Sequence, residues 1–289
     1  LLFSCHHAIM DGWGHRVFTN QLIEAYTGIK SGSKPDLGAP DTTYRQFVAI
    51  QKAVLRSDKA AKYWQSYLAG VDVPEFPQLA SNDPEPADPG ILCPLDPTLT
   101  QALVGLARNR AISMQALMLT AWMETMRTVF HQEHVSAGVL SNGRSEHLTD
   151  PLSAVGLFWN LVPVVSGHRV PVLEQAVSVQ KDLLEMEPYT SYPLSQLLAD
   201  REGREAFSSV FRYLNFWNTK DLPTQSGLEL INLRAFDRFS FPLTCSALVG
   251  SLERGGFLHI GYDPSLITKE CAEEVLAAYE GILKQIVSA

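Results

Sequence analysis

The sequence predicts a mixed α/β protein in which helices and strands layer as an α+β sandwich. Three observations lead there. Helical periodicity and short apolar runs of strand length both recur along the chain, without the strict βαβ alternation of a barrel or doubly wound sheet. No internal repeat is visible. At 289 residues the chain is long enough for a sizeable core, in one large or two ordinary domains.

Taken in order, the apolar run Leu1-Leu2-Phe3-Ser4-Cys5 predicts a buried strand, and His6 through Gly12 a loop leading into a helix. Phe18, Leu22, Ala25 and Tyr26 share one face of that helix, and Gly28 marks its end. Helices are expected over Thr43 to Leu55 and Asp58 to Leu68. Residues 71–90 carry Pro74, Pro77, Pro84, Pro86 and Pro89 among acidic residues, and read as a linker between two lobes, 1–70 and 91–289.

A helix beginning at Leu95 turns Leu103, Leu106 and Ala107 inward. Met114 to Phe130 is apolar nearly all round and should be a central buried helix. Val135 to Leu140 reads as a strand running out into Ser141-Asn142-Gly143-Arg144, and Phe158 to Val165, apolar on both faces, as an interior strand. Further strands are expected at 207–216, 240–249 and 255–262. The last helix puts Val275, Leu276, Tyr279, Ile282, Leu283 and Ile286 on one stripe.

A net charge of −8 argues against a nucleic-acid surface, and no apolar run reaches the ~18 residues of a membrane span. Neither nucleic acid nor membrane is expected as a partner. Cys5, Cys93, Cys245 and Cys271 are far apart and read as buried or free thiols of a reducing, cytoplasmic setting. The first residues show no Met or charged leader and look like core strand, so a piece of a longer chain is expected.

The chemistry concentrates in His6-His7-Ala8-Ile9-Met10-Asp11-Gly12. A strand end can hold an imidazole rigidly while the loop leaves it open to substrate. Asp-Gly suits a tight turn, since Gly accepts positive φ and Asp bonds its own backbone. The motif, HHxxxDG, resembles the signature of nonribosomal peptide synthetase condensation domains, members of the chloramphenicol acetyltransferase-like superfamily. Other segments carry the resemblance through residue 289: Asp11-Gly12-Trp13-Gly14, Thr43-Tyr44-Arg45-Gln46-Phe47, Tyr63-Trp64 ending in Leu68-Ala69-Gly70, Gly138 through Arg144, and Gly156-Leu157-Phe158-Trp159-Asn160-Leu161. Two positions depart. Gly14 replaces a Ser whose hydroxyl could cap the following helix, and Leu161 replaces a Thr.

The resemblance covers the second two-thirds of such a domain. It implies two chloramphenicol acetyltransferase-like lobes, the N-terminal one incomplete here, with a tunnel between them. It implies amide formation between a carrier-bound acyl or peptidyl thioester and a carrier-bound aminoacyl amine, and the chain alone is expected to be inactive. No cofactor would be bound by the domain itself; 4'-phosphopantetheine would arrive on upstream and downstream peptidyl carrier proteins, with an adenylation domain adjacent. A free-standing acyltransferase taking a CoA or carrier thioester and a small amine or alcohol is the rival enzyme reading. A non-catalytic condensation-like docking module is the rival outside enzymes. An epimerisation domain shares HHxxxDG, but the context of Trp13 and Asn160 favours condensation.

By the same resemblance His7 faces the tunnel and acts on the acceptor amine, as general base or positioning group, because a histidine can take or hold a proton near neutrality. His6, adjacent on an extended segment, points away and makes a structural hydrogen bond. Asp11 shapes the loop through an ion pair with an arginine, for which Arg16 and Arg144 are both candidates, and Gly12 serves the turn. Trp13, Arg144 and Asn160 are tunnel or lobe-interface candidates, whereas Trp159 is expected to pack. Metal is not expected: adjacent histidines on a strand point apart, and His131-Gln132-Glu133-His134 reads as the surface end of a helix.

Overall fold

The computed structural model describes residues 3–35, 38–73, 90–167, 170–214, 241–249 and 256–288. Three helices come first: α1 (Gly12–Lys30), α2 (Thr43–Leu55) and α3 (Asp58–Tyr67). After β1 (Gly90–Leu95) follow α4 (Pro97–Asn109) and α5 (Met114–Val129), then β2 (Val135–Asn142) and β3 (Trp159–Ser166). α6 (Val172–Met186), a 3-10 turn at Glu187–Tyr189 and α7 (Leu194–Asp200) lead into β4 (Ser209–Leu214). β5 (Leu243–Val249), β6 (Gly256–Tyr262) and α8 (Lys269–Ser288) complete the described chain.

α5 is the organising element. Ser113 caps it by accepting the Ala116 N–H, and every residue from Ala116 to Arg127 is buried, as a helix without a polar face requires. Most of its polar side-chain atoms find protein partners: Thr120 and Thr125 donate to the carbonyls one turn back, and the two terminal nitrogens of Arg127 bond Glu124, Ser166 and the Gly167 carbonyl. Trp122 meets Tyr279 of α8 edge to face, with centroids 5.7 Å apart, and donates to the Ser209 hydroxyl. Tyr279 donates in turn to the Met118 carbonyl.

Below the helices lies one mixed sheet of order β1-β6-β5-β4-β2-β3. β2–β4 and β4–β5 are parallel, and the other neighbouring pairs are antiparallel. α5 rests on β2, β4 and β5, with α6 over β3 and α8 over β6 and β1. Ala60, Trp64 and Leu68 of the α3 region join this core.

Several expectations change. Residues 3–5 form no strand and are exposed; among the described residues no strand offers them a ladder, and Phe3 instead rests on Phe18 and His15 of α1. β3 is buried as expected but is an outer strand of the described sheet, not an interior one. Helices and Tyr67, whose hydroxyl accepts the Val165 N–H at 3.2 Å, cover it in place of a second strand. α1 continues past Gly28 to Lys30, because a glycine inside a helix weakens it without ending it. β1 is an addition, beginning at the last residue of the expected linker; Pro94 hides it in the sequence, and an outer strand tolerates a proline. Most of that linker, 74–89, lies outside the described residues, as do the ends of the strands expected at 207–216, 240–249 and 255–262. No described helix is long and apolar enough to cross a membrane.

Candidate active site

The histidine segment is a turn, not an extended strand end. Ile9 N–H donates to the His6 carbonyl at 3.1 Å, and His6 Nδ1 accepts the Ala8 N–H at 3.1 Å. In place of the extended segment expected for His6, its bond is local to a turn, and no neighbouring strand among the described residues extends the segment. His6 and His7 are both exposed. The His7 imidazole makes no hydrogen bond among the described residues; its ring contact is Trp159, edge to face at 5.3 Å.

Asp11 holds the segment down. It is the N-cap of α1, with Oδ1 accepting the Gly14 N–H at 2.7 Å, and its own N–H donates to the Gly156 carbonyl at 3.0 Å. Oδ2 accepts the Phe158 N–H at 3.0 Å, so both carboxylate oxygens are used. Oδ1 also pairs with Arg144 at 2.7 Å, and both side chains are buried. Of the two candidate arginines, Arg144 is the partner; Arg16 lies over the Trp13 ring at 5.1 Å.

Gly12 does not take the positive φ expected of it. It is the first residue of α1, so the chain turns before the Asp-Gly and the helix starts at it. The hydroxyl expected at position 14 is not needed as a cap, since Asp11 fills that role and Gly14 stands inside the first turn. A Cβ at Gly14 would lie 3.1 Å from Gly156 N and 3.2 Å from Gly156 O, so the glycine lets α1 sit directly on that backbone.

Arg144 is the hub of the surrounding loop. Besides Asp11 it donates to the carbonyls of Pro151 (2.6 Å) and Ala154 (2.8 Å), and it lies over the Phe158 ring at 4.1 Å. Phe158 packs with Phe47, Leu148 and Ala154 in a small second core flanked by Tyr44 and Ile50. Gly143 permits this crossing: a Cβ there would fall 2.1 Å from the Phe158 carbonyl oxygen. Trp13 donates from Nε1 to the Leu152 carbonyl at 2.7 Å and pins α1 to the same loop.

Asn160 is placed differently. Its amide donates to the carbonyls of Thr190 and Tyr192 at 2.9 and 2.7 Å, and its oxygen accepts the Leu194 N–H at 3.3 Å. Both donors are spent on tying the start of α7 to β3. Nearby, burial and a hydrogen bond to Asp200 push the Tyr192 hydroxyl up to about 12. The structure thus brings Asp11, Trp13 and Arg144 together through the 143–158 loop, with His7 against Trp159 at the start of β3. The Phe158 amide and the Gly156 carbonyl, which hold Asp11, carry no side-chain signal and could not be read from residue types. Among the described residues no three His, Cys, Asp or Glu side chains gather as metal ligands.

The model of the family described as "Condensation domain" matches residues 1–289. The chain belongs to that family. A linear gramicidin synthase from Brevibacillus parabrevis is 26% identical over 99% of this condensation domain, which spans 6% of the length of that relative. Among solved structures, the X-domain from teicoplanin biosynthesis superposes with a TM-score of 0.79 at 16% identity, over 98% of this chain and 68% of the other. The condensation domain from monacolin K polyketide synthase gives 0.74 at 19%, over 98% and 68%. These likenesses establish the fold, which is that of the chloramphenicol acetyltransferase-like condensation domains.

Proposed function

We propose that this domain joins a carrier-bound acyl or peptidyl thioester to the amine of a carrier-bound aminoacyl group in nonribosomal peptide synthesis, with His7 as its catalytic residue. The observation that carries the reading is the division of labour within one short segment. Asp11 is fully committed to holding the loop, whereas His7, four residues earlier, is exposed with its ring nitrogens uncommitted among the described residues. A reactive group left open on a loop whose backbone is anchored by specific bonds is what a transfer site requires. The family match and its synthetase relatives support the same reading.

On this reading residues 1–70 carry the histidine loop on one lobe and 91–289 form the other. The carriers deliver their 4'-phosphopantetheine arms as substrates, and an adenylation domain stands beside the domain. The acceptor nitrogen attacks the thioester carbonyl carbon; the C–N bond forms, the C–S bond breaks, and sulfur leaves as the thiol. His7 takes or orients the proton that the amine gives up, and that proton balances the departing thiolate. Asp11 and Arg144 keep the loop in place and move no proton.

The test is His7→Ala in the intact synthetase with both carriers loaded, following product by mass spectrometry. Turnover should drop by ~10²–10⁴-fold, the usual worth of such a group, with the melting temperature unchanged. Near-normal turnover would remove His7 from the chemistry. An inactive parent that still binds loaded carriers would favour a docking module.

A further inference from the structure

We infer that Trp159 is a positioning residue for His7, holding the imidazole in its working orientation from the outer strand of the sheet. This rests on the reading of His7 given above, and it assigns a role to a side chain that the residue types alone mark only as packing.

Four observations converge on it. The His7 ring has no hydrogen bond among the described residues to fix it, and its edge-to-face contact at 5.3 Å is with the Trp159 indole. Aromatic pairs of this geometry are directional, so the contact favours one imidazole orientation over its alternatives. The indole is itself immobilised from below. Trp159 opens β3 opposite Asn142 and packs against the main hydrophobic core.

Its two neighbours are locked as well, Phe158 beneath the Arg144 guanidinium and Asn160 by three hydrogen bonds. Strand backbone fixed on both sides gives the indole a single place to stand. Finally, Trp159 Nε1 is buried and has no hydrogen-bond partner among the described residues. No polar bond among the described residues therefore holds the indole, and its ring contacts are what position it. A leucine would fill apolar space here but offer no ring to His7, and a phenylalanine would offer a smaller one.

The consequence is a link between the core and the exposed histidine. Asp11 fixes the backbone of the loop, and Trp159 fixes the side chain that the loop presents. Loss of the indole should leave the loop in place and release the imidazole.

The experiment uses Trp159→Phe and Trp159→Leu, with His7→Ala as reference. In ¹³C,¹⁵N-histidine-labelled protein, the His7 ring protons should show nuclear Overhauser contacts to the indole and a ring-current shift, both absent in Trp159→Leu. In the intact synthetase, Trp159→Leu should lower kcat by ~10-fold or more, the scale on which small misplacements act, with KM for the loaded carriers within about threefold. Trp159→Phe, which keeps a smaller ring, should recover part of the loss. Unchanged His7 ring signals in Trp159→Leu, or a kcat within about twofold of the parent while His7→Ala is inactive, would overturn the inference and leave the His7 reading standing. If His7→Ala itself retains turnover, the failure belongs to that reading. A loss confined to KM would make Trp159 a substrate-binding residue and would also overturn it.

Discussion

Two long helices of this chain are almost opposite in how they are held. α5 buries every residue from Ala116 to Arg127, whereas α1, 19 residues against 16, buries Gly14 alone. Leu22, Tyr26 and Ile29 of α1 remain exposed, as does Ile9 before it. The sheet region therefore stands on apolar burial distributed over many side chains. The histidine loop and α1 stand on a few specific bonds at one end, those of Asp11, Trp13 and Gly14. A region of the second kind opens at lower free energy than the global transition, and its geometry depends on particular groups instead of general packing. The candidate chemistry sits in that second kind of region.

The largest effect should come from attacking the first kind. Trp122→Ala empties the space between α5 and α8 and leaves the Ser209 hydroxyl without its indole partner. A loss of about 3–5 kcal/mol is expected for such a truncation, read as one cooperative shift in chemical denaturation. A variant that lost only the protection of α1 would show that the two regions are not separate in the way their burial implies.

Asp11→Asn should cut the other way. The substitution keeps a neutral acceptor for Gly14 N–H and removes the counter-charge of Arg144, which retains the Pro151 and Ala154 carbonyls. A cost of about 1.5–3 kcal/mol is the scale for a hydrogen bond to a charged group. It should be local: amide exchange should accelerate at Gly14 and Phe158 while β2, β4 and β5 keep their protection. Uniform loss of protection would mean that the Asp11–Arg144 pair supports the whole molecule.

The same contrast explains what could be read from the sequence. α2 and α5 are amphipathic or apolar throughout, and their periodicity gives their bounds to within a residue; for α8 it gives the buried stripe but not the first turn. α6 and α7, in 172–200, have no counterpart among the expected elements, because α6 exposes Val177 and Leu184 and so blurs its own stripe. The apolar run at the start imitates a strand, although burial needs a partner that composition does not supply. At the site, the Asp11 ion pair is legible from the family resemblance, but choosing Arg144 over Arg16 needs the 143–158 loop to fold back across 133 positions of sequence. The contact of His7 with Trp159 is not legible at all, since it joins a turn to an outer strand through space.

The smallest effect lies at the seam where α3 meets the sheet. Tyr67 accepts the Val165 N–H beside β3, and the Asp182 carboxyl of α6 faces the same hydroxyl, each shifting the other's titration. Burial raises the Asp182 carboxyl above the usual range; Glu185 adds to the rise and the Tyr67 bond opposes it. A carboxyl raised in the folded state binds its proton more tightly than in the unfolded chain. Its contribution to stability is therefore greatest below the ordinary aspartate value and is lost as pH climbs through the raised one. Asp182→Asn removes the charge and keeps an acceptor for Tyr67. At neutral pH it should stabilise the protein by less than about 1 kcal/mol, because the half-buried carboxylate is screened by solvent, and the advantage should shrink on acidification. Melting curves of both proteins across that range decide it. An asparagine variant that melts lower at neutral pH would mean that the charge of Asp182, working through Tyr67, is what fastens α3 to the edge of β3.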